Sequence, residues 1–198
     1  MLMGAEMAYM AKDYEKALHI YKQLKDKAAS MERRQLAKTG MLRSAHMLGN
    51  EEEIIFTATD LLADTKLAPE LSNEAHYYRA KAYLDAGKTD GAMEDLKILA
   101  KDTRNVYGAE AKYKVAQIYF DGGQTDKAEQ EVLNYIEVST PHTYWLARSF
   151  VLLADVYMKL GRNLDAKQYL LSLKQNYQAD DDIAGMIESR LEKLKTEN

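Results

Sequence analysis

The side chains able to do chemistry are few, and their spacing does not suit it. The four histidines stand at 19, 46, 76 and 142, not near one another at the spacing a metal site would want. The run Asp180-Asp181-Asp182 lacks the spaced ligands and closing Glu of a calcium loop; its expected role is to cap the helix that follows. Gly122-Gly123 is not followed by the Lys-Ser/Thr of a phosphate loop, and no Gly-x-Ser-x-Gly elbow occurs. There is no cysteine, which excludes disulfide scaffolds, thiol nucleophiles and thiolate metal sites. Glu51, Glu52 and Glu53 open a helix, where the macrodipole favours carboxylates. The expectation is therefore no catalytic, cofactor-binding or metal-ligating residue, and no cofactor.

Composition bounds the partners in the same direction. The net charge of −4 provides no basic field to attract nucleic acid. No apolar run approaches the roughly 18 residues that span a bilayer, so no membrane insertion is expected. Met1 to Met10 has no basic start and already contains Glu6, so it does not read as a signal peptide. Gly (10) and Pro (2) are scarce and 46% of residues are hydrophobic, a helix-rich composition with ample core.

The elements behind these residues follow from a repeat. One pattern occurs five times: a small residue, an aromatic or aliphatic residue three on, a Gly or a polar stand-in, then usually an Ala. The clearest copy is Ala116, Tyr119, Gly123, Ala128. The others are Ala80, Tyr83, Gly87, Ala92; Ala154, Tyr157, Gly161, Ala166; Leu42, Ala45, Gly49, Ile54; and Ala5, Ala8, Lys12, Ala17. The last positions recur at spacings of 37, 38, 36 and 38, a solenoid period. Each period reads as two amphipathic helices around a turn that usually bears Gly, because Gly ends a helix in the left-handed conformation at little cost. The repeats fall at about 1–28, 31–64, 72–101, 108–138 and 141–177, with a capping helix over 181–195 and the whole of 1–198 as one domain. Pro141 is expected in the first turn of its helix, Thr125 or its neighbour as a cap, and 65–72 as a loop. The first repeat starts mid-helix without a cap, and about two helix residues would fall before Met1. The chain is thus expected to be a piece of a longer protein.

The small residues at 80, 116 and 154, with Ala92, Ala128 and Ala166, let the paired helices approach, and the tyrosines are expected to fill the space between units. In this pattern the chain resembles the tetratricopeptide repeat, most specifically in repeats three to five. Asp13-Tyr14-Glu15-Lys16-Ala17-Leu18 is close to the family's second-helix start. Two departures stand out. Ile54 replaces an Ala, and His76, Lys112 and Phe150 stand where the family has a Trp. The period is also longer than the family's usual 34 or so. Long units are seen in bacterial envelope proteins of this superfamily, such as outer-membrane assembly lipoproteins and cell-division coordinators. The segment 140–148 looks like one in large multi-repeat proteins of Gram-negative bacteria. The likeness implies the periplasm or cell envelope; otherwise the cytoplasm is expected.

The resemblance implies an all-α, right-handed α-solenoid of five hairpins plus a capping helix. It also implies a concave face built from the exposed side of each first helix. The residues there are Tyr77, Lys81 and Leu84; Tyr113, Gln117 and Phe120; and Val151, Asp155 and Met158, preceded by His46, Arg43, Tyr9 and Glu6. The Lys–Asn–Arg carboxylate clamp of some subfamilies is not expected, since only Lys81 has the right character. The expected function is a non-catalytic module that binds a protein or peptide along this face. The alternative is a structural spacer that self-associates.

Overall fold

The computed structural model describes residues 1–196. Among them are eleven α-helices and no strand: α1 (Leu2–Met10), α2 (Tyr14–Asp26), α3 (Met31–Leu48), α4 (Glu51–Leu62), α5 (Pro69–Asp85), α6 (Thr89–Leu99), α7 (Val106–Asp121), α8 (Thr125–Glu137), α9 (Thr143–Lys159), α10 (Asn163–Asn176) and α11 (Ile183–Thr196). They gather into two compact units, Met1–Ile98 and from Leu99 onward. In the first, α1 packs on α2, α2 on α3, α3 on α4 and α4 on α5, and α3 also touches α5. In the second, α7 packs on α8, α8 on α9, α9 on α10 and α10 on α11, while α7 meets α9 and α9 meets α11. Contact between helices two apart is what stacked hairpins produce. The all-α class is as expected.

The five turns are closed in one way. Lys12, Gly49, Gly87, Gly123 and Gly161 all take the left-handed conformation, with φ between 62° and 75°. The next residue in each case donates its N–H to the carbonyl five residues back: Asp13 to Ala8, Asn50 to Ala45, Lys88 to Tyr83, Gln124 to Tyr119 and Arg162 to Tyr157, at 2.7–3.0 Å. The accepting residues are the second position of the sequence repeat. Its turn position and its aromatic or aliphatic position are therefore the two halves of one hydrogen-bonded helix stop. Lys12 is the one turn residue with a side chain, and it holds a conformation that L-residues avoid.

The small positions are buried as the repeat implies. Ala17, Ala92, Ala128 and Ala166 are fully buried, and so are Ala5, Leu42, Ala80, Ala116 and Ala154 on the first helices. Ile54 is buried too, so this departure from Ala is absorbed by the local packing. The tyrosines also pack inside their own hairpins. A Cβ at Gly91 would stand 3.1 Å from the Tyr83 ring. The Tyr157 ring faces Tyr169 at 5.6 Å and lies under the Arg162 guanidinium at 4.1 Å. Arg162 in turn reaches Glu129 on α8 at 3.2 Å, so only part of this tyrosine's contact passes between hairpins.

The positions where the family has a Trp carry a different solution in each hairpin. Phe150 stacks on Tyr169 at 6.0 Å. Lys112 pairs with Glu131 at 3.0 Å, and His76 Nδ1 lies 2.7 Å from Asp95 Oδ1. All three pairs join residues 19 apart, one on each helix of a hairpin. In the α3/α4 hairpin, Lys38 is 4% exposed and holds Asp60 and Asp64 at 3.0 and 2.7 Å. One aromatic contact is thus replaced twice by an ion or hydrogen-bond pair at the same helix crossing, and in α3/α4 by ion pairs to residues 22 and 26 positions on.

Helix starts depart from the sequence reading in three places. Pro69 is the first residue of α5, so much of the expected 65–72 loop is helical. Pro141 lies ahead of α9 instead of in its first turn. Thr140 Oγ1 accepts from the His142 N–H and donates to the Thr103 carbonyl, holding a turn that delays the helix. Gln124, without a side-chain cap bond, precedes α8, and Thr125 is already helical. Asp181 does cap α11, accepting from the Ile183 N–H at 2.9 Å.

Candidate protein-interaction surface

The nine residues expected to contact a partner sit on α5, α7 and α9, and they do not share one environment. In the first unit, Tyr77 is half-buried and Lys81 exposed, one helical turn apart, with the Lys81 ammonium 5.5 Å from the centre of the Tyr77 ring. Tyr77 also lies against Tyr78 at 5.8 Å. Tyr78 stacks on His46 of α3 at 4.2 Å. Burial, and then the charge of Lys81, hold the His46 imidazole below its ordinary pKa, so it is neutral at pH 7. Leu84 is half-buried on the same helix. Arg43 forks onto Glu74 with bonds of 2.6 and 2.7 Å, joining α3 to α5.

In the second unit, Phe120 and Met158 are half-buried against the core, and the Lys159 ammonium lies 5.0 Å from the Phe120 ring. Gln117 accepts from the Tyr113 hydroxyl and donates to Asp121, both at 2.8 Å. Two expectations need correction. Tyr113 is only 5% exposed and Val151 only 3%. Tyr113 is covered by the Arg148 guanidinium at 5.1 Å and by the Trp145 ring at 5.6 Å. Val151 belongs to the core between α7, α8, α9 and α10. Neither offers its side chain to a partner. Asp155 is half-buried, and Arg190 of α11 takes both its oxygens at 2.8 and 2.9 Å, so its charge is already matched.

Sequence reading missed the cations that decide this surface: Lys159, Arg148 and Arg190. For Arg148, the spacing of four from Tyr144 was a usable signal, since its Nη1 meets the Tyr144 hydroxyl at 2.9 Å. For Arg190 no local signal existed; its partner lies 35 residues away. Among the described residues no group of three or more His, Asp or Glu side chains is placed to hold a metal ion. No described helix is long and apolar enough to cross a membrane.

Family models of the tetratricopeptide repeat match residues 74–102 and 147–175. These are parts of the hairpins α5/α6 and α9/α10. No protein of curated function matches the sequence significantly. Among solved structures, the MamA protein is similar with a TM-score of 0.69 at 16% identity, covering 88% of each chain. BtubC from P. vanneervenii is similar with a TM-score of 0.62 at 13% identity, over 89% of this chain and 80% of that one. A thermophilic TPR protein in Thermus thermophilus has a TM-score of 0.53 at 19% identity, over 94% and 95%. Likeness at these identities concerns the fold. A fold of stacked helical hairpins is in general a scaffold for protein–protein interaction.

Proposed function

We propose that this chain, in which tetratricopeptide-repeat models match residues 74–102 and 147–175, is a tetratricopeptide-repeat protein and a non-catalytic module that captures a protein or peptide on the open side of its first helices. In the family's solenoids that side is the concave face. The observation that carries the reading is the pairing of half-buried aromatic rings with a lysine ammonium, Tyr77 with Lys81 and Phe120 with Lys159, one such pair in each unit. Aromatic anchors with a cationic neighbour suit an extended or helical segment that brings apolar and acidic groups. Leu84 and Met158 widen the apolar part of each patch. Tyr113 and Val151 support the second-unit patch from beneath.

The test is capture of the native partner by a Tyr77→Ala/Lys81→Ala/Phe120→Ala variant. Helical circular dichroism should remain at the wild-type level and capture should be lost. A folded variant that captures the partner as well as wild type removes this surface from consideration.

A second reading, self-association, is favoured by α1. Met3, Met7 and Met10 lie at i, i+4 and i+7 and are 73%, 65% and 84% exposed, an apolar stripe facing outward. Sedimentation velocity at several concentrations separates the two readings. A strict monomer removes self-association.

A further inference from the structure

The first unit holds an open cleft of about 420 Å³ where α1, α2, α3 and the start of α5 meet. Its walls include Glu6 and Tyr9 of α1, Tyr21 of α2, and Glu32, Gly40 and Arg43 of α3. We propose that this cleft receives a basic side chain, Arg or Lys, from an extended segment of the partner. The proposal rests on the reading of the chain as a partner-binding module and gives that reading a chemistry.

Three observations select a cation as the occupant. The first is charge. Glu6 and Glu32 are exposed at the cleft and neither is in an ion pair among the described residues, whereas Arg43, the one cation in the wall, is already neutralised by its fork onto Glu74. An anion entering the cleft would meet two unmatched carboxylates; a cation would meet none of its own sign that is free.

The second is Tyr21. It is 7% exposed, lines the cleft, and has no hydrogen-bond partner among the described residues. Its ring is buried while its hydroxyl stays open to the cleft, where a guanidinium or ammonium N–H can donate to it. Burial first, and then the charge of Glu6, raise the pKa of this phenol, so the Glu6 carboxylate and the Tyr21 hydroxyl act on the same space.

The third is shape. Gly40 has no side chain, and a Cβ there would run into the Tyr21 ring. The ring is thereby seated against the α3 backbone, leaving room beside Tyr9. Two tyrosine rings in the wall of an acid-rimmed cleft are a setting in which a planar guanidinium is held by its faces as well as its charge.

The probe is N-acetyl-arginine amide titrated into the full chain, read by amide and ring NMR shifts, with the citrulline and glutamate analogues as controls. Saturable shifts at Thr39, Gly40 and Tyr21 are expected for arginine alone. Glu6→Gln, a change at an exposed residue that leaves the core untouched, should weaken that binding about tenfold, the order of one charge-assisted contact. Tyr21→Phe keeps the ring and should weaken it severalfold. Absence of saturable arginine binding, or equal binding of the citrulline or glutamate analogue, overturns the proposal. Partner capture that depends on Tyr77 and Phe120 without any arginine binding removes the cleft and leaves the scaffold reading in place.

Discussion

Arg79 grips both carboxylate oxygens of Asp95, with Nε 2.8 Å from Oδ2 and Nη2 2.7 Å from Oδ1. Asp95 is 1% exposed, and His76 shares its Oδ1. Arg79 also donates to Thr59 on α4 at 2.9 Å. A single buried carboxylate on α6 therefore organises polar groups from α5, and through Arg79 it reaches α4. Deleting it leaves a half-buried guanidinium and imidazole without their buried acceptor. Asp95→Ala should lose about 3–5 kcal/mol of unfolding free energy, as for other buried pairs broken from one side. Urea denaturation checks this. A loss below about 1 kcal/mol would mean that the pair contributes no more than an exposed one.

The same carboxylate sets a pH dependence. Burial acts to raise the Asp95 pKa and is the largest influence, but the hydrogen bonds from Arg79 and His76 outweigh it and hold the group below the usual range. A depressed carboxyl stabilises the fold fully above its unfolded pKa of about 3.9, and that stability is lost as pH falls through the folded value. Unfolding free energy should therefore drop below about pH 4. In Asp95→Asn, which keeps shape but cannot ionise, this part of the acid loss should be absent. Identical acid limbs in the two proteins would disprove the assignment.

Lys12 occupies with φ of 62° the turn position that Gly fills in the other four hairpins. Lys12→Gly should raise stability by about 0.5–1 kcal/mol, the relief of left-handed strain less the added freedom of the unfolded chain. Its side chain is exposed, so little packing is removed. A destabilised variant in thermal unfolding would show that the Lys12 side chain makes a contact outweighing the strain.

Two helical glycines should respond to Ala with opposite signs. A Cβ at Gly108 would strike the backbone carbonyls of Asp102 and Leu99, which cannot swing aside as a side chain can. Gly108→Ala should cost about 1–3 kcal/mol or more, as overpacking does. Gly185, in the first turn of α11, has nothing within 4 Å of the same atom, and Gly185→Ala should gain about 0.5–1 kcal/mol. Parallel melting curves settle both, and the same sign for the two variants would refute the distinction.

Much of the fold was legible because its signals are local or periodic. A left-handed turn favours Gly wherever a helix stops in the αL conformation, so Gly49, Gly87, Gly123 and Gly161 marked the hairpin turns from sequence. Full burial against a crossing helix demands a small side chain, so Ala128 and Ala166 marked the crossings. Where a helix start depends on a turn held from another segment, as at Thr140 by the Thr103 carbonyl, the boundary was misplaced.

The candidate site was less legible. Counting residues along a helix assigned Tyr113 and Phe120 to one exposed stripe, yet Arg148 and Trp145 cover the first and leave the second half-open. The period and the small and turn residues alone determined that this chain is all-α and built of stacked hairpins. Tertiary structure decided which aromatic rings stay accessible and which charges are free. Arg79 finds Asp95 across 16 residues and Arg190 finds Asp155 across 35. Such partners are chosen by how neighbouring helices seat against each other, a geometry that backbone propensity and burial pattern do not encode.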